Sequence, residues 1–229
     1  MRWADGRQAQ APLALCEVQG YAYAAAERGA EVLEAFGRPG AADLREWAAR
    51  LKDRFRGVFW IADDTGPYPA VALDAQKKPV DGASSNIAHL LGTGLLDAQE
   101  ATQIAARLSR PDLDCGYGLR TLSSASRAFN PLSYHCGSVW PHDTAIAVLG
   151  LAAEGHHDVA HRLAEGLVRA AERFDYRLPE LYAGTDARRG EPVLAFPTAC
   201  RPQAWAAAGA VAVVYYLEST RHLGSRHKP

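Results

Sequence analysis

Two stretches of this chain, residues 143–153 (DTAIAVLGLAA) and 204–217 (AWAAAGAVAVVYYL), are apolar on nearly every side of a helix. A helix without a polar face has to be covered on most sides. The segment between them, residues 157–174, is different. Leu163, Leu167, Ala171 and Phe174 share one side, while Arg162, Glu165, Arg169 and Glu172 lie elsewhere. A covered helix followed by an amphipathic one predicts two layers, with an inner ring of helices wrapped by an outer ring. Neither run reaches the ~20 residues that a membrane span requires.

The rest of the chain fits an all-α architecture of about seven helices with one β excursion. Val18, Tyr21, Ala22, Ala25, Gly29, Val32, Leu33 and Phe36 recur at helical spacing, and Gly37 can end that helix. Leu44, Trp47, Ala48, Leu51 and Phe55 mark a second helix with a charged opposite face. Then the period breaks. VFWIADDTGPYPAVALDAQKKPV has short β-rich runs punctuated by Gly and Pro, which predicts a small hairpin or an irregular excursion. Helical pattern returns over 86–95, 97–108, 142–154, 157–174 and 202–219, with a long loop over about 109–140. No repeat of fixed period and no domain linker are visible. The basic end, residues 220–229, is expected to fray.

Charge and cysteine usage narrow the function classes. With 25 basic and 26 acidic residues the net charge is −1, which calls for neither nucleic acid nor an anionic membrane as partner. Cys16, Cys115, Cys136 and Cys200 form no CxxC pair. They read as reduced thiols in a cytoplasmic protein rather than a disulfide framework or zinc site. His157 and His161 stand i, i+4 on a charged helix with no third ligand in view and read as surface. There is no Gly-rich phosphate loop and no GxSxG. Nothing calls for a metal or another cofactor.

Chemistry concentrates in the loops that precede the all-apolar helices. Loops of this length without structure of their own tend to carry function. In NPLSYHCGSVWPHDTAIAVLGL, the residues Tyr134, His135, Trp140, His142 and Asp143 gather just before a covered helix. A sugar ring has an apolar C–H face and a rim of hydroxyls. An indole can cover the face while His and Asp bond the rim. The alternative is a core Trp with satisfied histidines. Asp143 fits an N-cap as well as a sugar contact. Glu17, Gln19 and Tyr21 in EVQGY form a candidate second wall, although a Glu is favourable near any helix N-terminus. Asn86 and His89 in SSNIAHLL divide equally between cap and pocket. Gln203 and Trp205 in RPQAWAA form a candidate further wall, with Pro202 placed to start a helix. Arg120 is placed to pair with a buried carboxylate. Glu180, read alone, caps a turn or pairs with Arg177.

LCEVQGYAYAA, SSNIAHLLGTGL, GYGLRTLS, FNPLSYHCGSVWPHDTAIAVLGL, RLPELYAG and FPTACRPQAWAAAGA occur in the order found in bacterial amylo-α-1,6-glucosidase-like proteins. These are glycogen-debranching-type members of the six-hairpin glycosidases. From about residue 3 to residue 218 the chain resembles them. The resemblance implies an (α/α)6 toroid, a sugar pocket at one end, and inverting hydrolysis of α-1,6-glucosidic bonds in a glucan or small glucoside. It implies that Glu180 is the general base, and that the pocket-wall residues above, Arg120 among them, bind glucose units. In such proteins a Trp-x-Asp-Ser segment bearing the general acid precedes the counterpart of Ala4-Asp5-Gly6. The chain is therefore expected to be the C-terminal part of a longer catalytic domain and to be poorly active alone. Its open side is expected to be covered by an upstream segment or a second copy. Two rivals remain: a sugar-binding half-barrel without catalysis, and a disaccharide phosphorylase. The latter needs a phosphate site, for which the motif loops offer only Arg120 and Arg201.

Overall fold

The computed structural model describes residues 1–225, with side chains through Thr220. Strand β1 (Ala14–Leu15) leads into helix α1 (Cys16–Ala35), and α2 (Ala41–Phe59) follows. Strands β2 (Trp60–Asp63) and β3 (Gly66–Pro69) form the expected hairpin, with Asp63 opposite Gly66. Strands β4 (Ala72–Leu73) and β5 (Pro79–Val80) join β1 in an antiparallel sheet of order β1-β4-β5 that the sequence reading missed. Two-residue strands carry too little periodicity to be seen. Helices α3 (Ala98–Leu108), α4 (Pro141–Ala153), α5 (His157–Glu172) and α6 (Ala204–Ser225) complete the series. Helix α6 continues past residue 220, where fraying was expected, and residues 226–229 lie outside the described part.

Local chemistry accounts for the helix ends. Asp97 accepts from the Glu100 N–H while the Glu100 side chain accepts from the Asp97 N–H, a reciprocal cap that starts α3. Gly37 takes φ +59° after α1, and the adjacent Arg38 N–H returns to the Leu33 carbonyl at 2.8 Å. The helix expected over 86–95 is shorter and tighter. It is a 3-10 helix over Ser85–Leu90. Gly92 and Gly94, both at positive φ, turn the chain away before α-helical bonding can propagate.

Four of these elements make a row. Helix α1 packs on the 3-10 helix, the 3-10 helix on α4, and α4 on α6. Helices α2 and α5 pack against α1 and α4 respectively, and α3 packs on the 3-10 helix and β3. One core runs through both layers, from Phe55 and Phe59 through Ile87, Leu90 and Ile104 to Val148, Leu151, Leu163 and Leu167. The all-apolar helices lie in the inner row, as their composition requires. Small residues set the close approach: a Cβ on Gly20 would sit 3.1 Å from Leu90 Cδ2.

Cover is less complete than the composition predicts. In α1 the buried residues are Cys16, Gly20, Ala26 and Ala30, while Val18, Tyr21, Val32 and Phe36 form an exposed stripe. Ile146 and Leu149 are exposed on α4, and Val211, Val214 and Tyr215 on α6, with Val211 at 71% and Tyr215 at 75%. These apolar faces, on α4 within the row as well as on α1 and α6 at its ends, are left uncovered by the described residues. Among the described residues no helix is long and apolar enough to cross a membrane.

Candidate active site

The site is assembled by loops stitched together. Isolated antiparallel bridges pair Arg120 with Val139, Val139 with Tyr182, and Tyr182 with Ala195. Tyr182 is fully buried, and its hydroxyl donates to the Tyr117 carbonyl at 2.6 Å. The Leu119 N–H donates to Thr144 Oγ1 at 3.0 Å, tying the 109–140 loop to α4. These contacts bring the segment before α4 beside the segment that carries Glu180. At Gly184 the strands pass so closely that a Cβ would stand 1.8 Å from the Gly137 carbonyl oxygen, which only glycine avoids.

Beside this seam lies a cavity of about 710 Å³, within the range of small-molecule sites. Asn86, His89, Tyr134, His135, Trp140, His142, Asp143, Glu180 and Trp205 all line it. Nine of the fourteen expected site residues thus meet at one place.

On one side Tyr134 Oη donates to Glu180 Oε1 at 2.8 Å, and the Glu180 N–H donates to the Cys200 carbonyl. The carboxylate is thus committed to neither a turn cap nor Arg177. The hydrogen bond to Glu180 raises the Tyr134 phenol above its ordinary value, so it stays a donor. Aromatic rings frame this pair. Tyr134 meets Trp140 edge-on at 4.8 Å, His135 stacks on Trp140 at 5.2 Å, and His142 stacks on Trp205 at 4.1 Å. Trp140 is buried and donates from Nε1 to the Tyr134 carbonyl. Its indole therefore serves as framework, with one face occupied by His135. Trp205 stacks with His142 but stays 46% exposed, so it keeps surface that a sugar can cover. Burial lowers the His135 and His142 imidazoles below their ordinary value, which keeps both neutral near pH 7.

On the other side Asp143 departs from the N-cap reading. The N-cap of α4 is Trp140, without a side-chain cap, and Asp143 Oδ1 instead meets His89 Nε2 at 2.5 Å. Burial alone would raise this carboxyl, but the hydrogen bond and charge of His89 overcome it and the net direction is down. Asp143 is held ionised. Ser84 holds the N-cap position of the 3-10 helix without a side-chain cap bond: its Oγ donates to Asn86 Oδ1 at 2.9 Å, and Asn86 Nδ2 donates to Glu17 Oε1 at 2.8 Å.

Five expected site residues stand back from the cavity. Glu17 supports Asn86, and Tyr21 Oη contacts His89 Nδ1. Gln19 donates to the Leu15 carbonyl, and Gln203 Oε1 accepts from the Ala206 N–H at the start of α6. Arg120 pairs with a carboxylate, as expected, but stands away from the cavity as a sugar ligand should not. It is 3% exposed, donates to the carbonyls of Gly184, Pro111 and Asp112, and lies 3.6 Å from Asp186. Its long planar donor fork suits it to tying loops, and none of those donors faces the cavity. Conversely Ser85, Thr121 and Cys136 line the cavity and escaped the sequence reading, because nothing local separates such residues from ordinary loop polarity. Among the described residues no group of three His, Cys, Asp or Glu is placed to hold a metal.

A row of helices backed by a second layer, with a cavity at its loop end, is the arrangement of part of an (α/α)6 toroid. The solved structures agree. Neutral trehalase Nth1 from Saccharomyces cerevisiae superposes with a TM-score of 0.66 at 20% identity over 93% of this chain and 40% of that one. The GH63 mannosylglycerate hydrolase from Thermus thermophilus, in complex with glucose, gives 0.64 at 17% identity over 89% and 48%. By sequence the chain belongs to the family described as the mannosylglycerate hydrolase MGH1-like glycoside hydrolase domain, which matches residues 2–190. No curated protein matches it in sequence. The chain spans less than half the length of these two structures.

Proposed function

We propose that this chain carries the base half of an inverting α-glycosidase site, with Glu180 as general base. The observation that carries the reading is the Glu180 carboxylate, held by Tyr134 at the wall of a cavity framed by Trp140 and Trp205. Inverting hydrolysis needs a second carboxyl that is protonated at the working pH and donates to the leaving oxygen. Asp143 is held as an anion and makes a poor donor. The acid is therefore supplied from outside these residues, and the chain alone turns substrate over poorly. The same assembly covers the apolar stripes on α1, α4 and α6, through an upstream segment or a second copy.

For substrate, the motif order points to α-1,6 linkages of a branched glucan, whereas the named relatives are a trehalase and a mannosylglycerate hydrolase. The family match favours a short α-glycoside, and a glucan branch stub presents a similar terminal unit. Phosphorolysis loses its two candidate arginines. Arg120 is buried among carbonyls, and Arg201 donates to the Phe174 carbonyl and Asp175.

Two measurements test this. Proton NMR of fresh product from the native polypeptide is expected to show the β-anomer first, without a requirement for phosphate; the α-anomer first, or phosphate dependence, sinks the inverting reading. Light scattering of the isolated chain is expected to show self-association. A clean monomer that melts cooperatively would remove the uncovered-face argument.

A further inference from the structure

We infer that His89 is a positioning residue. It bridges Tyr21 on α1 and Asp143 on α4 and so fixes the Asp143 carboxylate at the wall of the cavity. The inference rests on the reading of this cavity as a sugar site.

Both ring nitrogens of His89 are engaged, Nδ1 with Tyr21 Oη and Nε2 with Asp143 Oδ1. A ring pinned at both nitrogens is fixed in orientation. An ionised carboxylate only accepts, so Nε2 carries a proton and donates. Nδ1 faces a hydroxyl that can donate or accept. The neutral imidazole receives the tyrosine proton, and the imidazolium donates to the tyrosine oxygen. The three-residue chain therefore stays satisfied in either protonation state, and Asp143 keeps its donor throughout.

Other groups close on the same point. Asn86, one turn back in the 3-10 helix, holds Glu17, and Cys16 Sγ donates to the other Glu17 oxygen at 3.4 Å. Asp143, Glu17, Tyr21, Cys16 and His142 are thus the titratable groups around His89. Burial pushes its imidazole down, but the Asp143 hydrogen bond and the charges of Asp143 and Glu17 carry it above 6.5. The ion pair is complete below that value and weakens as pH rises through the raised one.

What the arrangement leaves over is as informative. Asp143 Oδ2 is buried without a hydrogen-bond partner, although the Ser85 hydroxyl lies beside the carboxylate. His142 Nδ1, on the neighbouring residue, is also buried and unpartnered. Unpaired buried polar atoms are costly and call for a partner. Both residues line the cavity, and a sugar hydroxyl that reached either atom would satisfy it.

The experiment has two arms. In the first, nitrogen-15 NMR follows His89 without ligand. The ring is expected to hold its neutral-form proton on Nε2 and to titrate above 6.5, and Asp143→Asn to lower that midpoint. A His89 midpoint unmoved by Asp143→Asn overturns the bridge. In the second, glucose binding is measured by ligand-observed NMR. His89→Leu is expected to weaken it about tenfold or more. His89→Gln, which can still donate near the Nε2 position, is expected to recover most of it. Equal losses in both variants overturn positioning through Asp143. If wild type binds no glucose while the titration coupling is present, the sugar reading falls and the bridge stands.

Discussion

Glu180→Gln is expected to lower kcat of the native polypeptide by about 10²–10⁴-fold, with little change in KM. Gln keeps the shape and can still accept from Tyr134 Oη, so the wall of the cavity survives. It cannot take a proton from water. A group that acts only in the transition state lowers kcat and kcat/KM together. Tyr134→Phe removes the 2.8 Å hydrogen bond but leaves the carboxylate, and its loss should be far smaller. Steady-state kinetics decide between the roles. A Glu180→Gln enzyme within about tenfold of wild type would leave Glu180 as a sugar contact and require another base.

Arg120→Met is expected to cost about 3–5 kcal/mol of stability, the range for removing one partner of a buried charge network. The side chain has no exposed route to water, and it holds Gly184, Pro111 and Asp112 carbonyls together while facing Asp186. Methionine fills the volume, packs against Phe129 and supplies no donor, so the Gly184 and Pro111 carbonyls lose their partner, while Asp112 keeps the Ser124 N–H and Asp186 the Arg188 N–H. For a chain of this size that is a fall in melting temperature of about 6–20 °C. Arg50→Met, which breaks the exposed pair with Glu46, should move stability little by comparison. Denaturant unfolding of the two variants checks both figures. Equal small losses would show that Arg120 does not tie these loops.

The two predictions fall on opposite sides of what a sequence can show. Glu180 is legible through its motif, and its setting explains why a bare reading does not choose. Its partner Tyr134 is 46 residues away in the chain, so nothing near RLPELYAG reveals it. Arg120 reads as a partner for a buried carboxylate, and only the family resemblance makes it a sugar ligand. The carbonyls that claim it come from two separate loops. His89 and Asp143, 54 residues apart, each look like a cap or a contact, and only their meeting makes them a pair.

By itself the sequence determined the helices, the hairpin, the two-layer arrangement and the stock of sugar-binding groups. Periodicity, reciprocal caps and turn residues act between near neighbours, so they survive in a one-dimensional record. The tertiary structure decided which polar groups share the cavity, which arginine serves the scaffold, and which large apolar residues stay exposed on α1, α4 and α6. Those outcomes depend on contacts between distant segments, where a partner's distance and burial, not the residue's own type, set what each side chain can do.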